Sequence, residues 1–297
     1  MSRLVLRADA DADRGAGHAM RLATLGAAWQ RAGGEVVFAG RVSLPFVEAQ
    51  LERLAIPLVS RGELEGDLLV VDSYDDAVRR AAEVATGVRA RVLVDDLGEV
   101  DPRGYDAIWN PNPFGHPDLY PGFRGRVVTG PAAVPVRPDL PARGEPIPNS
   151  VLVSLGGGQP PAGVRAAIRK LAKRLPDVDF AMAGEWSPPA WRRVERSSLW
   201  EVAARSERVV LAAGTSTWEA AAIGLPVVVV KIAENQRLVF RWAREAGVPG
   251  VDATMVDPDY LAEHLAELLP VSRPLPTIRS GADHVARSLL ALWTASR

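Results

Sequence analysis

The chain has 297 residues, of which 47% are hydrophobic and 24% charged, so it has enough apolar material for a packed core and is not a disordered chain. Its 35 basic and 36 acidic residues leave a net charge of −1, which excludes an overall field that attracts nucleic acid. It contains no cysteine, and this excludes disulfides, a thiol nucleophile and cysteine-based metal sites. The length favours two domains or one large one.

Short apolar runs alternate with helix-like stretches in the first half of the chain. The pattern predicts strands at residues 4–6, 35–39, 67–71 and 91–94, and helices at residues 17–32, 45–54 and 75–86. Strands that alternate with helices of this length are typical of βαβ units, so we expect an α/β fold with a parallel sheet.

Residues 131–150 differ from their surroundings because six prolines crowd this stretch. Proline disfavours a central strand and a helix that precedes it, so the stretch is interpreted as a linker between two domains. The α/β alternation then resumes, with strands predicted at residues 150–155, 177–183, 208–212 and 227–232, and helices at residues 161–175, 217–223 and 281–296.

The pattern therefore predicts two Rossmann-like domains that face a cleft. We expect an N-terminal domain over residues 1–135, a nucleotide-binding domain over residues 148–280, and a terminal helix over residues 281–297 that packs back on the first domain. The first apolar run is too short for a signal peptide, and no window approaches ~20 apolar residues in a row. We expect no membrane span and a cytoplasmic location.

Glycines and a histidine lie between the first predicted strand and the first helix, in the segment Gly15-Ala16-Gly17-His18. Glycine lets the backbone approach a ligand closely, and the N–H groups at the start of a helix favour an anion. A histidine in this place can act as a general base. The plainer alternative is that the glycines only form a turn and that His18 caps the helix. Met20 occupies the third glycine position of a dinucleotide fingerprint, which disfavours a nicotinamide enzyme.

Polar residues also follow the later strands of the first half. In the run Asp72-Ser73-Tyr74-Asp75, the Tyr74 hydroxyl can orient a sugar or a water, and the alternative is that the run caps the next helix. Asp95 and Asp96 follow the next strand, either as paired carboxylates of a site or as a cap for the following turn.

Two glycine-containing turns follow strands in the second half. The run from Ser154 to Gln159, with glycines at 156, 157 and 158, suits a phosphate but lacks the lysine of a nucleoside-triphosphate loop. ATP hydrolysis is therefore not indicated.

The second of these turns, Gly214-Thr215-Ser216-Thr217, places several N–H groups and hydroxyls at a helix start, which suits a diphosphate without a metal. Glu219, one turn into the helix, can accept hydrogen bonds from ribose hydroxyls. The alternative is a capping box formed by Ser216 and Glu219. A capping box leaves unexplained why the polar run Glu234-Asn235-Gln236 directly follows a buried strand.

Taken in order, these motifs resemble those of the UDP-sugar hydrolases of pseudaminic acid biosynthesis and of the related spore-coat polysaccharide proteins. The resemblance implies the glycosyltransferase-B fold, in which two Rossmann-like domains face a cleft that holds a nucleotide sugar. It extends from the first strand to Gln236 and rests on Gly15-Ala-Gly17-His18-Ala-Met20-Arg21, Asp72-Ser73-Tyr74, Asp95-Asp96-Leu97, Asn110-Pro-Asn112, Gly130-Pro131, Leu155-Gly-Gly157 and Ala213-Gly-Thr-Ser-Thr-Trp-Glu219.

The resemblance implies a UDP-sugar as the small-molecule partner, with no metal and no cofactor. His18 is then the general base for a water that attacks the anomeric carbon, and Tyr74 positions the water or the sugar. Glu219 is expected to hold the ribose. The other implied substrate contacts are Gly17, Arg21, Asp96, Gly157, Gly214, Thr215, Ser216, Thr217, Asn235 and Gln236.

The chain departs from the family pattern at three places. Gly157-Gly158-Gln159 stands where the family has Gly-Gly-Ser-Asp, and Ala132-Ala133 replaces a segment that carries a tyrosine. The loop over residues 7–15 is rich in aspartate and lacks the usual apolar residue before Gly15, so the sugar stays open. The glycine-rich turn and Gly-x-Gly-His also resemble the N-acetylglucosaminyltransferase of peptidoglycan assembly, so a glycosyltransferase is the main alternative. A non-catalytic nucleotide-sugar binder is a second alternative, which His18 disfavours because binding alone needs no base.

Overall fold

The computed structural model describes residues 2–184 and 186–295, and the chain divides into two compact units. Unit 1 contains the chain up to Pro138 and the segment from Arg279 onwards, and unit 2 contains Asp139–Ile278. Within the described ranges, every helix is too short or too polar to cross a lipid bilayer.

A parallel sheet forms the centre of unit 1. In the described part of the chain its seven strands are β1 (Arg3–Arg7), β2 (Glu35–Ala39), β3 (Leu58–Val59), β4 (Gly66–Val71), β5 (Val88–Val94), β6 (Ala107–Trp109) and β7 (Arg126–Val128). They lie in the order β3-β2-β1-β4-β5-β6-β7. The direction of winding reverses between β1 and β4, and this is the place where doubly wound sheets bind ligands.

Three of the helices of unit 1 connect the strands of this sheet. They are α1 (Gly17–Arg31), α2 (Pro45–Arg53) and α3 (Asp76–Glu83). In α1, Leu22, Leu25 and Trp29 recur at helical spacing and are fully buried with Leu4 and Leu6 of β1. The chain stops the helix at a glycine pair, where the residue at position 33 has a φ of 87°.

Unit 2 repeats the same winding. Its parallel strands are β8 (Ile147–Ser154), β9 (Asp179–Ala183), β10 (Arg192–Val194), β11 (Ser206–Ala212), β12 (Pro226–Lys231) and β13 (Gly250–Asp252), in the order β10-β9-β8-β11-β12-β13. A short strand β14 (Arg273–Pro274) pairs antiparallel with the start of β12. The switch point of this sheet therefore lies between β8 and β11.

Five helices belong to unit 2 among the described residues. They are α4 (Ala162–Arg174), α5 (Leu199–Arg205), α6 (Ser216–Ile223), α7 (Arg237–Glu245) and α8 (Pro258–Leu268). Ile168 and Leu171 of α4 and Leu265 of α8 share a buried cluster with Val151 and Val153 of β8. The two halves of the chain thus each have a separate hydrophobic core.

The last helix, α9 (Ala282–Ala295), returns to unit 1 and packs on α1. Val285 and Leu289 are fully buried in the same cluster as Leu22 and Trp29. The helix predicted over residues 281–296 matches this element, except that Ser296 lies outside the described residues.

The proline-rich stretch is not one uniform linker. Val134 and Val136 are buried in unit 1, and their carbonyl oxygens accept hydrogen bonds from the Gly281 N–H at 2.7 Å and from Ser280 Oγ at 2.5 Å. The chain passes to unit 2 after Pro138, and β8 begins at Ile147. The interpretation of residues 131–150 as a linker is therefore too broad. Residues 131–138 belong to unit 1, where Val134 and Val136 are hydrogen-bonded to the segment before α9.

Candidate functional site

The carboxyl ends of β1 and β4 lie side by side at the switch point of unit 1. After β1 the chain turns around Asp11, whose Oδ1 accepts hydrogen bonds from the N–H groups of Asp13 and Arg14 at 3.1 and 2.8 Å. Gly15 follows with a φ of 75°, which favours glycine. The acidic loop is thus a local turn that leads the chain into α1 at Gly17.

His18 is the second residue of α1, and it contacts the first residue after β4. Its Nδ1 is hydrogen-bonded to Oδ1 of the buried Asp72. A carboxylate only accepts hydrogen bonds, so in the neutral imidazole Nδ1 carries the proton and Nε2 keeps a lone pair. The N-cap of α1 is Ala16, so the alternative in which His18 caps the helix is wrong. Asp75 is the N-cap of α3, and Asp72 is not part of that cap.

Arg21 lies almost one turn after His18 on α1 and joins two carboxylates. Its Nε and Nη2 donate to Asp72 at 2.5 and 2.7 Å, and its Nη1 and Nη2 donate to Asp96 at 2.7 and 2.9 Å. The residue is buried. Four of its hydrogen bonds therefore go to these carboxylates, and its role in the structure is to organise them.

Burial and the Arg21 guanidinium act in opposite directions on the two carboxylates. Burial raises the pKa of Asp72, but Arg21, and after it His18, outweigh burial and hold that pKa far below its usual range. The pKa of Asp96 is also lowered, because Arg21 outweighs the effect of burial. Both side chains are negatively charged at neutral pH.

Tyr74 contacts both His18 and Asp96. Its ring meets the imidazole edge-on, with the ring centroids 4.7 Å apart and the planes at 87°. Its hydroxyl donates to Oδ2 of Asp96 at 2.7 Å. Burial of the hydroxyl, and then the Asp96 carboxylate, raise the pKa of Tyr74, so it stays neutral. The proton that was expected to orient a water or a sugar is engaged with Asp96.

The two aspartates after β5 have different roles. Oδ1 of Asp95 accepts from the N–H groups of Leu97 and Gly98 at 3.0 and 3.2 Å, which is the turn cap considered above. Asp96 instead joins the ionic network. Asn112, in the loop after β6, donates from Nδ2 to Oδ1 of Asp96 at 3.2 Å. The resemblance included Asn112 without a role, and its place in the segment Asn110-Pro-Asn112, which follows a buried strand, is the signal in the sequence.

In unit 2 the glycine-rich turn follows β8 at the switch point. Gly156 has a φ of 93°, with no neighbouring heavy atom within 4 Å of the place that a Cβ would take. Gln159, which departs from the family pattern, accepts a hydrogen bond from Nη1 of Arg165 at 3.0 Å. The turn therefore leaves open space at Gly156, and Gln159 ties its far end to α4.

The second turn follows β11, the strand next to β8. Thr215 is the N-cap of α6, without a side-chain capping bond, and Ser216 is the first helical residue. The alternative of a capping box with Ser216 as the N-cap is therefore wrong. The start of α6 is tight, because the Thr217 N–H donates to the Gly214 carbonyl at 3.0 Å. The Thr217 hydroxyl is buried and has no hydrogen-bond partner within the part of the chain that the structure describes.

The polar run after β12 has three different environments. Glu234 accepts a hydrogen bond from Nζ of the buried Lys231 at 2.8 Å, and Lys231 also reaches Asp252 at 3.1 Å. Gln236 accepts from the Ile232 N–H at 2.9 Å through Oε1, which fixes the loop. Asn235 is exposed.

The structure thus groups the expected site residues into two sets. His18, Arg21, Tyr74 and Asp96 form one hydrogen-bonded network in unit 1, with Gly17 at the adjoining helix start. In unit 2 the expected residues follow neighbouring strands: Gly157 follows β8, the turn at Gly214, Thr215, Ser216 and Thr217 follows β11 and leads to Glu219, and Asn235 and Gln236 follow β12. Across residues 2–184 and 186–295, no three histidine or acidic side chains are grouped to hold a metal ion.

No protein-family model matches the chain, and no curated protein matches it significantly in sequence. Solved structures do match over the whole length. The S. aureus protein MnaA in complex with UDP is 13% identical, with a TM-score of 0.66, over 100% of this chain and 98% of that one. The UDP-GlcNAc 2-epimerase from Neisseria meningitidis bound to UDP-GlcNAc is 11% identical, with a TM-score of 0.63, over 99% and 100%.

A third match is the Streptomyces sp. SF2575 glycosyltransferase in complex with thymidine diphosphate, which is 15% identical, with a TM-score of 0.59, over 98% of this chain and 100% of that one. Such proteins have the glycosyltransferase-B fold. The chain has this fold as well, and the expected architecture of two Rossmann-like domains is confirmed.

Proposed function

We propose that this protein is a nucleotide-sugar hydrolase that cleaves a UDP-sugar into UDP and the free sugar. The observation that carries the proposal is the pair of His18 and Asp72 at the switch point of unit 1. The buried carboxylate holds the imidazole with Nδ1 protonated, so that Nε2 is the basic atom. A pure binding protein needs no such pair, and this is why we prefer a catalytic role.

In the proposed reaction Nε2 of His18 accepts a proton from a water as the water oxygen attacks the anomeric carbon. The bond between that carbon and the diphosphate oxygen breaks with inversion, and the electron pair leaves with UDP. The imidazolium that forms is stabilised by Asp72. Arg21 keeps Asp72 ionised and in place, and the Tyr74 ring packs against the imidazole.

Unit 2 would supply the nucleotide site. The Thr215 and Ser216 N–H groups at the start of α6 and the open turn at Gly156 are suited to the diphosphate, whose charge they would stabilise as it leaves. The N–H groups of Gly214, Thr217 and Trp218 donate within the turn instead. Glu219 would accept hydrogen bonds from the ribose. The neighbours solved with UDP and with UDP-GlcNAc support a uridine nucleotide, and the one solved with thymidine diphosphate makes the base an explicit variable of the test.

A glycosyltransferase is the second candidate, because one of the neighbours above is a glycosyltransferase. In that reaction the same Nε2 would take the proton from an acceptor hydroxyl instead of from water. A second neighbour is a UDP-GlcNAc 2-epimerase, so an epimerised product also has to be looked for.

The deciding experiment measures the release of UDP or TDP from a panel of nucleotide sugars, with and without acceptors, in heavy-oxygen water. A hydrolase releases nucleotide without an acceptor and places the label on the anomeric carbon of the free sugar. Strict dependence on an acceptor would replace this proposal with the glycosyltransferase. Label in the diphosphate would show that a phosphorus–oxygen bond breaks and would overturn the mechanism.

A further inference from the structure

A second layer of polar residues lies behind Asp96 in unit 1. Asn112 is buried, and its Nδ2 lies 3.2 Å from Oδ1 of Asp96, 3.3 Å from the Asp96 carbonyl oxygen and 3.1 Å from Oδ1 of Asn110. All three of these atoms are acceptors. The two N–H donors of the Asn112 amide therefore face only hydrogen-bond acceptors.

The orientation of the two amides follows from their neighbours. Oδ1 of Asn110 accepts the backbone N–H of Asn112 at 3.2 Å, so Oδ1 must face Asn112. Nδ2 of Asn110 then donates to the Tyr120 hydroxyl at 3.0 Å, and that hydroxyl donates to the Asp95 carbonyl at 3.1 Å. Asn110 is fully buried, and Tyr120 is buried as well. Asn110, which directly follows β6, thus fixes the position of Asn112 through these hydrogen bonds, independently of the contact between Asn112 and Asp96.

Asp96 connects this layer to the proposed catalytic pair. Its carboxylate accepts from Arg21, from Tyr74 and from Asn112. Arg21 in turn donates to Asp72, which holds His18. The carboxylates of Asp72 and Asp96 share the single guanidinium of Arg21. The neutral amide of Asn112 therefore satisfies a lone pair of Asp96 without adding a further charge to the network.

We propose that Asn112 is a positioning residue for His18, which acts through Asp96 and Arg21. It touches no reacting atom. Its amide fixes the direction of the Asp96 carboxylate, and the carboxylate then fixes Arg21 and the hydroxyl of Tyr74. The inference rests on the proposed function for its effect on turnover, but the coupling of Asn112 to His18 is a property of unit 1 alone.

Two substitutions separate position from charge. Asn112→Ala removes the donor, and Asn112→Asp places an acceptor of the same shape against Asp96. We expect Asn112→Ala to lower kcat by ~10–100-fold with an unchanged KM, because a catalytic group that is slightly misplaced loses rate rather than binding. Gln30→Ala is the matched control, since its Nε2 donates to the Ala55 carbonyl at an exposed place on the same helix as His18.

The pH profile of Asn112→Asp gives a readout that a general loss of packing would not move. At neutral pH the new carboxylate repels Asp96, and we expect a larger loss of kcat than in Asn112→Ala. Near pH 5 the new carboxyl regains a proton and can donate to Asp96, which stays ionised, so activity relative to the unsubstituted protein should rise as the pH falls. If the ratio of the Asn112→Asp kcat to the kcat of the unsubstituted protein is the same at every pH, this result counts against the proposal.

A spectroscopic measurement keeps this inference separate from the proposed reaction. The chain has 4 histidines, so the Nδ1–H proton of His18 can be assigned by NMR with a single His18 variant. We expect this proton to exchange with water faster in Asn112→Ala, while unchanged backbone amide signals of the buried strands β1 and β4 show that the protein is folded. An unchanged His18 signal together with normal kcat would overturn the inference, even if hydrolysis is established. A changed signal in a protein without UDP-sugar turnover would overturn the proposed function and leave the coupling intact.

Should Asn112→Asp fail to fold, Asn112→Ala decides the matter through the same NMR signal and the same kcat.

Discussion

The imidazole of His18 is hydrogen-bonded to the carboxylate of Asp72, although the two residues are 54 positions apart in the chain. They meet because β1 and β4 are neighbours in the sheet, so that the segments after the two strands emerge at the same edge. The buried carboxylate selects the tautomer, and the basic nitrogen is the one turned away from it.

Substitution of His18 tests the proposed base. We expect His18→Ala to lower kcat by ~10²–10⁴-fold, the usual contribution of a general base, and to leave the affinity for UDP unchanged. Steady-state kinetics and calorimetry measure the two quantities. His116→Ala is the control, because that side chain is 67% exposed in a loop of the same unit. Full turnover in His18→Ala would remove the base from the mechanism.

Asp72 links the site to the stability of unit 1 in acid. Its folded-state pKa is depressed, so its contribution to the free energy of unfolding is complete above the unfolded pKa and is lost as the pH falls through the folded pKa. We expect Asp72→Asn to destabilise the protein by about 3 kcal/mol or more at neutral pH, because Arg21 stays buried with one partner fewer.

Chemical denaturation of Asp72→Asn at a series of pH values checks this sign. Below about pH 4 the stability of the unsubstituted protein should fall more steeply than that of Asp72→Asn, since the variant lacks one carboxylate with a depressed pKa. Asp13→Asn, at an exposed position in the loop between β1 and α1, should follow the unsubstituted protein. Parallel curves for all three proteins would mean that Asp72 carries no linked proton.

Most of the fold could be predicted because local patterns of apolar residues identify its helices and strands. Apolar runs such as Val227–Val230 and the helical stripe of Leu22, Leu25 and Trp29 identify buried strands and helices without any knowledge of the tertiary structure. The elements that the pattern does not indicate are short strands, such as β6 and β7, which have three residues each. Three residues cannot show a period, and only the neighbouring strand makes them part of the sheet.

The sequence predicts that His18, Tyr74 and Asp96 lie near one another, but it does not predict their hydrogen-bond partners. Their positions after strands or at a helix start place them at one edge of the sheet. The structure adds that Arg21 is buried between Asp72 and Asp96, and a contact of Arg21 with substrate stays a prediction. A guanidinium pairs with whichever carboxylates the sheet brings near it, and this depends on strand order, which the local sequence does not contain.

Glu219 tests the nucleotide half of the proposal. We expect Glu219→Ala to weaken UDP binding by about 1.5–3 kcal/mol, which is the contribution of a hydrogen bond to a charged group. The affinity ratio between UDP and its 2′-deoxy analogue should shrink in the variant if Glu219 contacts the ribose hydroxyls. Glu201→Ala, on the exposed side of α5, is the control. Calorimetry that gives equal UDP affinities for Glu219→Ala and the unsubstituted protein would show that the ribose assignment is wrong.

Thr217 offers a test in which stability and binding change in opposite directions. Its hydroxyl is buried at the start of α6 and has no hydrogen-bond partner among the described residues. Valine has nearly the same shape without the hydroxyl, so Thr217→Val should raise the free energy of unfolding of the ligand-free protein by about 1 kcal/mol, since a buried group without a partner is removed. If the hydroxyl donates to the diphosphate, UDP should at the same time bind more weakly by about 1.5–3 kcal/mol, the range for a hydrogen bond to a charged group.

Thr129→Val is the matched control, because the Thr129 hydroxyl in unit 1 likewise has no partner in the described residues, and this substitution should change stability alone. A stabilised Thr217→Val protein with unchanged UDP affinity would confine Thr217 to the helix start and leave the diphosphate to the backbone N–H groups.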